Sequence, residues 1–132
     1  MHTDIHHVLT ECIAASLEER MSFPQIVGKL MEVKIERYHT DLCRGDNTYY
    51  LTNGESSVLP TGKSGEPAAV FSATAVEQAV RGAQSGKVGY NEFCRRVLHA
   101  GCAGWHVSML GKRVVYYGRT GETHVELFPS KT

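Results

Sequence analysis

The sequence predicts an α+β fold in which an αα-βββ unit occurs twice, as four helices packed on antiparallel three-stranded meanders related by a pseudo-two-fold axis. Three observations carry this. Sliding the chain against itself by 67 positions aligns residues 23–58 with 90–125 without a gap, with identities at His39/His106, Tyr49/Tyr116, Tyr50/Tyr117, Gly54/Gly121, Glu55/Glu122 and Val58/Val125. Apolar residues at helical spacing recur in both halves at that offset. Each helical stretch is followed by three short strand-like segments separated by turn residues.

Leu9, Cys12, Ile13 and Ser16 form the stripe of a first helix, with Asp4 placed to cap it. Phe23, Ile26, Val27, Leu30 and Met31 fall on one face of a second, and Ser22 with Gln25 three residues on has the form of a capping box. The strand segments "IERYHTDL", "TYYL" and "SSVL" come next, the last two joined at Asn53-Gly54, residues that both tolerate positive φ. "PTGKSGEPAA", residues 60–69, is expected to be an exposed linker. It is not a phosphate-binding loop, because Ser57 stands where that motif needs its first glycine.

The second half repeats the order. Val76, Ala79, Val80 and Ala83 mark a third helix; Tyr90, Phe93, Cys94, Val97 and Leu98 mark a fourth, which Gly101 is placed to terminate. "CAGWHVSML", "VVYYG" and "HVELF" supply its strands. The expected organisation is a single domain over residues 1–132, with a first repeat at 4–59, a linker at 60–70 and a second repeat at 71–128.

Composition narrows the function classes. With 42% apolar and 21% charged residues the chain has the make-up of a soluble globular domain. No apolar run is long enough to span a bilayer, and the start lacks the basic-then-apolar form of a secretion signal, so a cytoplasmic protein without membrane contact is expected. The four cysteines lack CxxC spacing and are expected as free thiols, with Cys12 and Cys94 in the core. Zero net charge argues against binding nucleic acid. The charge is nonetheless uneven: residues 1–66 carry six Lys/Arg against ten Asp/Glu, and residues 67–132 carry eight against four. Opposite halves of that kind attract within a chain or between chains.

Strand alternation sorts the candidate site residues. Tyr38, Thr40 and Leu42, with Trp105, Val107 and Met109, form the expected core face. The opposite face takes His39, Asp41 and His106. On the last strand Val125 and Leu127 alternate with His124 and Glu126. A ligand surface of His39, Asp41, His106, His124, Glu126, Tyr49 and Tyr116 is therefore expected on the side away from the helices. His39 and Cys43 form an HxxxC pair, but no zinc signature accompanies it, so no metal, cofactor or catalytic residue is assigned.

The stretches "IERYHTDL", "EFCRRV", "AGCAGWHV" and "YYGRTGETHVE" resemble the bacterial, often prophage-encoded YdfO/YbcV-like proteins, a domain-of-unknown-function family sometimes labelled "phage envelope protein". The resemblance covers nearly the whole chain and implies a small protein of uncharacterised role and mobile-element origin, with no site residue to carry over. The expected function is a non-enzymatic binding or interaction module acting on a protein partner. The alternative is a small-molecule-binding protein or enzyme using the His/Tyr/carboxylate face. A homodimer formed through exposed strand edges is a further expectation.

Overall fold

The computed structural model describes residues 3–129. The chain runs α1 (Thr3–Leu17), α2 (Phe23–Glu32), β1 (Ile35–Asp41), β2 (Asp46–Leu51), β3 (Ser56–Pro60), α3 (Ala73–Gln84), α4 (Tyr90–His99), β4 (Cys102–Ser108), β5 (Arg113–Gly118) and β6 (Thr123–Leu127). The architecture is α+β, four helices with one six-stranded antiparallel sheet.

Local sequence accounts for the helix ends. Ser22 Oγ accepts from the Gln25 amide while Gln25 Oε1 accepts from the Ser22 amide, closing the capping box in front of α2. Ser72 caps α3 in the same way through the Ala75 amide. Asp4 lies inside the first turn of α1 rather than ahead of it, where its charge still suits the positive end of the helix. Gly101 ends α4 at φ +89°, and a Cβ there would stand 2.2 Å from the Val70 carbonyl oxygen, so only glycine fits.

The two strand triplets join into one sheet of order β3-β2-β1-β4-β5-β6, through antiparallel pairing of β1 with β4. His39 faces His106 there, at the one position of that ladder where residues 67 apart are partners. The hairpins β2–β3 and β5–β6 close identically. The Leu51 amide donates to the Glu55 carbonyl and the Gly54 amide to that of Leu51, and Gly118, Glu122 and Gly121 repeat the pattern. These are three-residue loops with glycine in the left-handed position, φ +94° at Gly54 and +84° at Gly121. Asn53 keeps negative φ, so the turn needs one such residue and not two.

All four helices cover one face of the sheet. Leu9, Cys12, Leu30, Val76, Val97 and Cys102 are among the most buried side chains, against the inner-face Tyr38, Trp105 and Val107. Cys12 and Cys94 are core thiols as expected, with burial pushing both up in pKa, Cys94 to about 11. The linker is exposed at Pro60, Gly62, Ser64, Glu66, Ala69 and Val70, but it is anchored at intervals. Thr61, Pro67 and Phe71 are buried, and the amides of Gly65, Ala68 and Ser72 donate to the carbonyls of Leu42, Leu98 and Ala100. Because these backbone groups find partners on both halves, the segment is strapped to the body despite having no regular structure.

Candidate functional site

β1 and β4 present the faces that alternation predicts. Tyr38, Thr40, Leu42, Trp105, Val107 and Met109 are buried beneath the helices, while Arg37, His39, Asp41, His106 and Ser108 look away from them. β6 does not follow expectation. His124 lies opposite Tyr116 and Glu126 opposite Val114, and directly opposed residues share a face of an antiparallel pair. Tyr116 and Val114 point into the core, so His124 and Glu126 go with them, and Val125 and Leu127 are exposed on the other side. The expected single surface is thus two. His39, Asp41 and His106 lie on the open face; Tyr49, Tyr116, His124 and Glu126 lie on the helix-covered one. The tyrosines of the open face are Tyr50 and Tyr117, one residue on from those expected.

On the open face the His39 and His106 rings stack at 4.4 Å, and His39 Nε2 is hydrogen-bonded to the Tyr117 hydroxyl at 2.6 Å. Tyr117 reaches His39 across Gly104, where a Cβ would stand 2.6 Å from the phenol oxygen. Partial burial lowers the pKa of both imidazoles; for His106 the neighbouring His39 and Arg37 lower it further. Cys43 lies beyond β1, exposed in the β1–β2 turn.

At the sheet margin, Glu126 accepts a hydrogen bond from Arg81 at 2.8 Å and is joined to His124 Nε2 at 2.6 Å. Burial pushes the Glu126 carboxyl up, but these partners outweigh it and hold the group below the ordinary carboxylate range. Glu77, His124 and Glu126 bring their donor atoms within 4.8 Å of one another. The Arg81 guanidinium already bridges both carboxylates, so an incoming cation would have to displace it.

A concavity lies between these features, where the helices meet the sheet. It is a cleft of about 740 Å³ that opens to the surface. Its walls include Trp105, Tyr38, Tyr49, Tyr90, Tyr116 and Phe93. Its mouth is framed by the α1–α2 and α3–α4 turns and by residues 127–129. The buried polar and charged side chains Thr40, Asn47, Thr61 and Glu126 all line it. Asn47 Nδ2 donates to the Tyr49 hydroxyl at 2.9 Å, while Asn47 Oδ1 is buried and has no partner among the described residues.

Magnitude decides how to read this space. Burying a polar group without a partner costs about 1–3 kcal/mol, so such groups are normally scarce in a core. The space opens to the surface and part of its lining is polar, so it is not a dry void. The space is therefore one that solvent or ligand fills. Burial drives the pKa values of Tyr38, Tyr49, Tyr90 and Tyr116 upward, so the phenols stay neutral and none is a ready base. Sequence reasoning missed this site because it is a gap between layers. One signal was legible: Asn47 has the inward parity of Tyr49 and Leu51 on β2, a polar residue in a core position.

Residues 12–126 match the family described as "Protein of unknown function (DUF1398)". The chain belongs to this family. The match takes in β1 to β5, all but the last residue of β6 and most of the cavity wall, leaving out Leu127, Phe128 and Pro129 at its mouth. No curated protein matches the chain. No helix among the described residues is long and apolar enough to cross a membrane.

Proposed function

We propose that the protein is a non-enzymatic small-molecule-binding module whose ligand lies between the helices and the sheet. The observation that carries this is the aromatic-walled cavity of about 740 Å³ on which the buried polar side chains converge, with Asn47 Oδ1 left without a donor. That volume falls within the roughly 300–1,000 Å³ usual for small-molecule sites. Flat aromatic walls favour a ring system, and Asn47 Oδ1, shielded from solvent in the unliganded chain, accepts from an N–H or O–H on that ring once its side chain turns toward the cavity. The ionised Glu126 in the wall disfavours an anion. The same reading takes the two αα-βββ halves as copies of one ancestral unit and the protein as a mobile-element accessory, as the sequence resemblance implies.

Trp105 is the single tryptophan and lines the cavity, so its emission reports directly on occupancy. Titration with neutral aromatic heterocycles bearing an N–H donor should shift that emission and raise the melting temperature. Asn47→Leu should weaken the donor-bearing compounds about tenfold, the share of one hydrogen bond, and leave donor-free analogues unchanged. A panel that moves neither Trp105 emission nor melting temperature would refute the proposal.

A further inference from the structure

The open face of the sheet carries a second feature that the cavity does not use. Opposed residues across the strands form rows, and the middle row reads Val58, Thr48, His39, His106, Val115, Val125. Val58 and Val125, at its ends, are among the exposed large apolar side chains. The row on one side holds Arg37 and Arg113; the row on the other holds Asp46 and Asp41. The Arg37 guanidinium lies over the Tyr50 ring, 3.7 Å from its centre, and its Nε also pairs with Glu36 at 3.2 Å, which together hold it on the face. The acidic row is also braced: Asp41 Oδ1 accepts from the Cys43 and Arg44 amides, and Asp46 pairs with Arg44.

We propose that this face docks against the same face of a second copy of the chain, about a two-fold axis running along the middle row. Rotation about that axis lays each middle-row residue over its own counterpart, valine on valine and imidazole on imidazole. It also exchanges the outer rows. Arg37 then faces Asp41 of the second copy, and Tyr50 with its overlying guanidinium faces Asp46 of the second copy. Two stacked sheets lie about 10 Å apart and rotate by about 30° through their twist. β1 is central, so that rotation displaces the Arg37–Asp41 pairing least. Charge complementarity selects this occupant. A partner with one sign of charge would satisfy one outer row and repel the other, whereas a rotated copy sets Arg37 against Asp41 and Asp46, and Arg113 against the Tyr117 ring. Six strands about 4.8 Å apart, with three facing rows, present a footprint on the order of 500 Å² per copy. That is near the lower limit for specific interfaces, so association is concentration-dependent.

Sedimentation equilibrium of the full chain, from about 5 to 500 µM, the range in which a small interface associates, tests this. The mass should rise from 14.6 kDa toward twice that value. Val58→Lys with Val125→Lys should hold the monomer across the range with an unchanged circular dichroism spectrum. Arg37→Asp and Asp41→Lys should each be monomeric alone, because each sets like charges opposite, and a mixture of the two should dimerise. A wild-type chain that stays monomeric overturns the proposal. So does a dimer indifferent to the valine substitutions, which would point to pairing through the β3 or β6 edge, or a mixture that fails to recover the dimer.

Discussion

His39 and His106 stack face to face across the β1–β4 seam, with ring centroids 4.4 Å apart and planes 20° from parallel. The Tyr117 hydroxyl bonds to the edge of the His39 ring, and both imidazoles are held toward the neutral form by partial burial. Two stacked imidazoles tolerate one charge poorly and two charges worse. The pair therefore joins the two halves of the sheet most firmly when uncharged.

That arrangement sets a pH dependence. Below the unfolded histidine value of about 6.5, the unfolded chain takes up protons that His39 and His106 resist in the fold. Stability should therefore fall as pH drops from about 7 toward 5. The lowered Glu126 carboxyl adds a second loss below about 4.5. Melting temperatures measured across this range, for the wild type and for His39→Asn with His106→Asn, check the assignment. The double variant should flatten the upper part of the profile and leave the carboxylate part in place.

Gly104→Ala tests the close packing that lets Tyr117 reach His39. A Cβ at residue 104 would stand 2.3 Å from the Thr40 carbonyl oxygen and 2.6 Å from the Tyr117 hydroxyl oxygen. The first is backbone in the central seam and cannot swing away. The expected loss is about 2–4 kcal/mol by urea unfolding, with the slope unchanged. A loss under about 0.5 kcal/mol, the usual limit for an exposed site, would contradict the packing.

Asn47→Leu separates function from stability. The substitution removes one hydrogen bond to Tyr49, worth about 1 kcal/mol, and also an unpartnered buried acceptor that costs about 1–3 kcal/mol. The unliganded variant should be as stable as the wild type or up to about 2 kcal/mol more so, while binding is weakened. Denaturant unfolding would show a clear loss of stability instead if Asn47 served the fold alone. A polar group retained at a cost to the fold is the mark of a site kept for its ligand.

Sequence alone determined the element order, the helix caps at Ser22 and Gly101, and the two faces of β1 and β4. Each of these depends on residues within a few positions of one another: a hydroxyl and an amide, a glycine past a helix end, an alternation of period two. The phase of β6 lay outside that reach. Val125 and Leu127 are the more apolar pair, yet register with β5 turned them outward, and Arg81 from α3 gave the inward Glu126 its counter-charge. Only the tertiary structure decided that the six strands form one sheet, that His39 meets His106 at its centre, and that aromatic side chains from α4 and the sheet line one cleft. Pairing and packing bring together residues far apart in the chain, and the space left between two layers is a property of their combined shapes, written in no single segment.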